Sequence, residues 1–86
     1  MLKAIEKLLN GTATKVGNHR AVHTETAVYY YYYNTAVCVA TYDCTVKFDN
    51  GGWGTSSTTR TINNYRKHFV DYLGFEEVNE IKDYTF

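Results

Sequence analysis

Residues 50–63 read NGGWGTSSTTRTIN, a stretch that gathers the single Trp, a run of hydroxyl side chains and Arg60 where a glycine-rich turn passes into a helical pattern. Free backbone N–H groups at a helix start, hydroxyls and a guanidinium are together the chemistry of an anion site. Thr55, Ser57, Thr58 and Arg60 are therefore candidate ligands for the phosphate of a nucleotide or nucleic acid, with Trp53 as their flat neighbour. The same residue types also build a helix cap. In that arrangement Ser57 or Thr55 accepts from an open N–H, the glycines make the turn and Trp53 packs beneath it. No Walker-type lysine follows the glycines, which favours the cap.

A second candidate is the run of five tyrosines, Tyr29 to Tyr33. Residues 27–42 are almost continuously apolar or aromatic, with a polar interruption at Asn34-Thr35, and form either one long strand or a hairpin. Read as one bent strand, side-chain alternation puts Tyr29, Tyr31, Tyr33, Thr35, Val37 and Val39 on the core face, continuing through Cys44, Val46 and Phe48. Tyr30 and Tyr32 then lie on the solvent side beside Ala36, Cys38 and Ala40. A bulge at Asn34 exchanges the two sets. A flat aromatic patch of this kind suits stacking on unpaired bases or an interface with a partner, a second copy of the chain included. The alternative is a face covered by the N-terminal helix, although one short helix covers only part of it.

The remaining reactive side chains carry no recognisable signature. His19, His23 and His68 have no nearby nucleophile or paired carboxylate, and Asp71, Glu76, Glu77 and Glu80 read as a solvated face. Cys38 and Cys44 do not combine with the histidines at a zinc spacing. A two-residue turn at Tyr42-Asp43 puts the two cysteines on opposite faces, so they are expected to stay free thiols. No catalytic residue, metal or cofactor is expected.

The elements that must position these residues follow from periodicity. Leu2, Ile5, Leu8 and Leu9 fall at helical spacing, and Asn10-Gly11 stops the pattern. Residues 12–16 and 20–24 are β-favouring runs joined by Gly17-Asn18, a first hairpin, and residues 24–26 are a bend. Residues 45–49 make the return strand. From Ser57, Ile62, Tyr65, Phe69, Tyr72 and Leu73 trace an amphipathic helix that Gly74 ends, with Arg60, Asn64, Lys67 and Asp71 outward. Val78, Tyr84 and Phe86 share one parity in a terminal strand or hairpin, which Ile81 interrupts. The fold class expected is α+β, a small antiparallel sheet of hairpins packed with a short N-terminal helix and one amphipathic helix.

Composition bounds the reading. The chain has 86 residues, enough for one domain, 1–86, with a thin core. Its nine basic and nine acidic residues cancel, which argues against both a strongly basic nucleic-acid binder and an acidic DNA mimic. Residues 71–86 are acidic and the body mildly basic. No apolar run is long enough to span a membrane and no signal-peptide pattern is present, which points to a cytosolic protein.

The pattern GGW-x-T-x-S-T-x-R-x-I-N, preceded by a hairpin with a Tyr-x-Asn-Thr stretch, resembles a family of very small bacteriophage proteins of unknown function. Gly51, Gly52, Trp53, Thr55, Thr58, Arg60, Ile62 and Asn63 match that family's pattern. Ser57 stands where the family usually has Thr, Thr61 where a second basic residue is common, and Tyr33 where a His is usual. The resemblance covers residues 12–86 and implies a phage origin and a sheet-plus-helix fold, without a mechanism. With the lack of a catalytic constellation, it leads to an expected function: a non-enzymatic phage accessory protein in the host cytoplasm, self-associating, that binds and inhibits a host or bacterial-defence component. The target is a protein complex or a nucleotide signal. The alternative is a nucleic-acid-binding protein using Tyr stacking, the helix N-terminus and a rim of Lys47, Arg60, Arg66 and Lys67.

Overall fold

The computed structural model describes residues 2–81. Helix α1 (Lys3–Leu9) leads into a hairpin of β1 (Lys15–Val16) and β2 (His19–His23). Two further strands, β3 (Ala27–Tyr32) and β4 (Thr35–Thr41), are followed by β5 (Thr45–Phe48). Helix α2 (Ser56–Arg66) continues into a π-helical turn (Lys67–Tyr72), and β6 (Glu76–Glu77) closes the sheet. The strands lie side by side in chain order, β1 to β5 antiparallel and β6 parallel to β5. The fold is thus the expected α+β arrangement, and α2 is the crossover that a parallel β5–β6 pair requires.

Both helices cover one face of the sheet. Ile5 and Leu8 of α1, Ile62 and Tyr65 of α2 and Phe69 of the π-helical turn pack on Ala21, Val28, Tyr30, Val37, Cys38, Ala40 and Val46. Tyr30 is the hub. Its ring lies 4.8 Å from that of Tyr65 and 5.7 Å from that of Phe69, contacts worth about 0.5–1.5 kcal/mol each beyond area burial. Burial raises the pKa of Tyr30 and Tyr65, so both stay neutral phenols at any physiological pH. On the opposite face Ala27, Val39 and Ile81 form a smaller cluster with Tyr29 and Val78. Arg66 fastens α2 to the sheet: it pairs with Glu77 on β6 at 3.0 Å and sits 4.7 Å above the Phe48 ring on β5.

The tyrosine run departs from the single bent strand. It is a hairpin whose two-residue turn is Tyr33-Asn34, with Tyr32 opposite Thr35. Tyr33 takes φ 56°, a left-handed conformation in which an aromatic residue gives no turn signal. The turn is tied down by the Tyr33 N–H, which donates to Asn18 O of the first hairpin at 2.8 Å. The pairing also shifts between Tyr30 and Tyr31, leaving Val37 as an extra residue, so Val37 and Cys38 both reach the helix-side core. The tyrosine assignment is therefore exchanged, with Tyr30 in the main core in place of Tyr29, Tyr31 and Tyr33, while Val37, Val39 and Val46 are buried as the core-face reading has them. Tyr30, Cys38 and Ala40 are buried beneath the helices, and the flat solvent patch assigned to them with Tyr32 and Ala36 does not form.

Three smaller differences follow from local geometry. The β4–β5 connection is a three-residue loop, 42–44, because Cys44 adopts φ 68° and Ala40 pairs with Val46. Cys44 is exposed and Cys38 buried, and both are free thiols. The helix passes to π geometry at Lys67, which rotates Tyr72 out to 78% exposure and exposes Leu73. Trp53, expected under the turn, is 60% exposed. The helix does stop at Gly74, with φ 76°. Tyr84 and Phe86, assigned to the terminal strand, lie outside the described residues.

Gly51 is the glycine at which a side chain would be most crowded. It sits at φ 61°, and a Cβ there would lie 2.4 Å from Cγ2 of Thr35. Gly51→Ala is expected to destabilise the protein by about 2–3 kcal/mol in a denaturant titration, through overpacking and a positive φ that Ala resists. Adding Thr35→Ser removes the opposing methyl and should restore part of that loss. The two thiols give a second check. A thiol reagent should modify Cys44 in the native protein and reach Cys38 only on unfolding, with two thiols counted in denaturant without reductant.

Candidate functional site

The Gly51–Thr35 contact sets the β3–β4 turn against the loop that carries Trp53. Within that loop Asp49 Oδ1 accepts from Gly51 N–H at 2.7 Å, Asn50 Oδ1 from Gly52 N–H at 2.9 Å, and Asn50 O from Trp53 N–H at 2.9 Å. These side-chain turns are the local alternative to strand pairing that Asp and Asn offer. They end β5 and swing the indole outward.

Between the loop and the turn lies a cleft of about 400 Å³, lined by residues 32–35, Val37, Trp53, Thr55, Ser57 and Thr58. Of the residues singled out from the sequence, Tyr32, Trp53, Thr55, Ser57 and Thr58 meet here. Tyr30 does not, being buried at 5% exposure under Tyr65. Tyr32 is held in place between two rings. It stacks on His19 with centroids 4.9 Å apart and planes inclined by 25°, and meets Tyr33 edge-on at 4.7 Å. Tyr33 itself is 60% exposed at the mouth.

The start of α2 is a cap. Thr55, at φ −77° and ψ 156°, is the N-cap, and its Oγ1 accepts from Thr58 N–H at 3.3 Å and lies 2.9 Å from Thr58 Oγ1. The Thr61 hydroxyl donates to Ser57 O at 2.8 Å, bracing the first turn. Ser57 is left on the surface, its Oγ 3.4 Å from Thr55 Oγ1. The hydroxyl run is thus largely spent on the helix itself.

Arg60 points elsewhere. It lines a neighbouring recess of about 380 Å³ with Leu2, His19, Tyr32, Ser56, Ser57 and Thr61. The two hollows share Tyr32 and Ser57 as a common wall. Burial lowers the pKa of His19 below its ordinary 6.5, so its ring is neutral at pH 7, and its Nδ1 is buried without a hydrogen-bond partner among the described residues. Arg60 also borders an open groove with Arg66, Lys67 and Asp71, but the Arg66 guanidinium is engaged by Glu77 and by Asn63 Oδ1.

Asn34, Thr35 and His19 are not among the candidate residues read from the sequence, and Tyr33, part of the tyrosine run, is there assigned to the core face. Asn34-Thr35, the one polar interruption of the aromatic run, was the available signal. The cleft now has a coherent chemistry: three aromatic rings, one amide and a few hydroxyls, with no carboxylate, lysine or arginine among the described residues that line it. Such a surface stacks and hydrogen-bonds. Among the described residues no group of His, Cys, Asp or Glu is placed to hold a metal ion, and no helix is long and apolar enough to cross a membrane. The Tyr-x-Asn-Thr stretch and the GGW stretch, on which the family resemblance rests, converge on this cleft from separate elements. Comparison of the chain with protein-family models, curated proteins and solved structures gives no match.

The cap geometry separates the residues by their stability effects. Thr55→Ala is expected to cost about 1 kcal/mol. Ser57→Ala and Arg60→Ala should each stay within about 0.5 kcal/mol, as surface changes do. Trp53→Ala should fall far short of the 3–5 kcal/mol that deleting a buried Trp costs. Thermal melts of the four variants check the order, and a large loss for Arg60→Ala would make its guanidinium part of the fold.

Proposed function

We propose that the protein acts by binding, with the Trp53 cleft as its recognition site, and that it is a bacteriophage accessory protein inhibiting a host or bacterial-defence component. The observation that carries this reading is the cleft itself. An exposed Trp and an exposed Tyr are presented on two locked turns where a core-forming protein would bury them. Exposed aromatics around a concave, uncharged site are the usual anchors of recognition. The phage setting rests on the resemblance in residues 51–63 and the Tyr-x-Asn-Thr stretch. The target is a host or defence protein complex, or the nucleotide that such a system uses as its signal. Action in the host cytoplasm and self-association belong to the same proposal.

A second reading, nucleic-acid binding, draws on the groove in which Arg60 and Lys67 lie beside Ser56, Thr59 and Asn63. It ranks lower because Arg66 is engaged by Glu77 and Asp71 stands in the same groove. A strand binder would lose affinity steeply with added salt. Expression of the protein should raise the plating of a defence-sensitive phage on a defended host, and Trp53→Ala should abolish that rescue at unchanged expression. Absence of rescue across a panel of defended hosts, together with no specific capture from their lysates, would remove the inhibitor reading.

A further inference from the structure

Resting on the reading of the Trp53 cleft as a recognition site, we infer that its ligand is a free nucleotide, the base in the cleft and the phosphate in the adjoining Arg60 recess. The argument begins with charge. The described residues lining the cleft carry no charge, so the part of a ligand that enters it is neutral. Rings from Tyr32, Tyr33 and Trp53 favour a flat π system, and stacking tolerates any base. Asn34 stands at the same mouth with an amide that makes no hydrogen bond among the described residues. An amide offers a donor and an acceptor side by side, the pattern that matches the edge of a nucleobase.

The second part of the ligand is set by the neighbouring recess. Arg60 is the one cation among its described lining residues, since burial keeps His19 neutral. The hydroxyl-bearing residues Ser56, Ser57 and Thr61 line it too. An arginine among hydroxyls is matched by a phosphate. Because Tyr32 and Ser57 line both hollows, the two adjoin, and a ligand with a flat neutral end joined through a sugar to a phosphate matches the pair.

The same arrangement argues for a free nucleotide over a strand. A strand needs a series of cations along its phosphates, whereas here Arg66 is held by Glu77 and Asp71 lies in the groove beyond Arg60. An unmodified peptide aromatic would fill the cleft but carries no anion of its own for the adjoining Arg60 recess.

Trp53 is the only Trp in the chain, so its fluorescence reports on the cleft alone. The probes are AMP, adenosine, inorganic phosphate and a single-stranded oligo-dA, titrated at constant ionic strength and repeated by calorimetry. AMP should quench Trp53 saturably and adenosine should bind about tenfold more weakly. Arg60→Ala should erase that difference while leaving adenosine binding and the melting curve unchanged. In Trp53→Ala the heat of AMP binding should disappear. No saturable binding of AMP or adenosine overturns the inference, as does inorganic phosphate binding as tightly as AMP, or oligo-dA binding where AMP does not. If phage rescue is lost in Trp53→Ala while AMP and adenosine do not bind, the nucleotide is overturned and the cleft stands as a recognition site for another partner.

Discussion

The approach of Gly51 to Thr35 is the constraint from which the rest of the site follows. Two segments far apart in sequence, the β3–β4 turn and the loop after β5, come within van der Waals distance at a position where no side chain fits. Thr35 opens β4 and pairs with Tyr32, so the contact fixes the turn relative to the sheet. Gly51 begins the loop that delivers Trp53 and the first turn of α2. The Thr35 side chain resting on the Gly51 backbone holds the two walls of the cleft in register, a packed contact of the kind that preorganises a concave surface.

The exposed positions of Tyr33 and Trp53 make sense against this frame. Tyr33 occupies a left-handed conformation that disfavours residues with a Cβ, and its backbone N–H is tied to the first hairpin through Asn18. A strained residue persists only where its surroundings over-determine it, and such residues gather at functional sites. Here the strain raises an aromatic ring at the mouth of a cleft opposite an equally exposed indole. Neither ring contributes to the main core, which is supplied by Tyr30, Tyr65 and Phe69. The chain therefore divides its aromatic load between a buried set that closes the small core and an exposed set at the mouth of the cleft.

This division shows why some features were legible in the sequence and others were not. α1, the first hairpin, α2 and the stop at Gly74 follow from helical spacing and turn dipeptides, which are local signals. The tyrosine run carries no alternation of polarity, and the Asn34-Thr35 interruption is the one feature that marks a turn. The residue that makes the turn breaks the usual preference for Gly or Asn. With the run taken as one bent strand, the hairpin being the alternative, parity assigns Tyr30 to solvent. The spacing of Phe69, Tyr72 and Leu73 reads as α-helix, and only the widening to π geometry at Lys67 turns the last two outward. Trp53 reads as core by residue type, because its exposure depends on Asp49 and Asn50 holding the loop. Much of the candidate site was nonetheless identified, since the cap motif and the Trp are adjacent in sequence and had to be adjacent in space.

Arg60 is the instructive case. Thr58 and Arg60 are two residues apart on a helix, which places them about 200° apart around its axis. A hydroxyl and a guanidinium that look like one cluster in the sequence must therefore face different hollows once α2 forms, and they do. The helix separates the neutral, aromatic surface from the charged one and leaves Ser57, three residues before Arg60 and on the same side, as the point where they meet. A single anion site at the helix start would have needed the guanidinium and the cap hydroxyls on one face. The fold instead offers a cation beside an uncharged aromatic cleft, an arrangement suited to a ligand with a flat neutral end and a charged end.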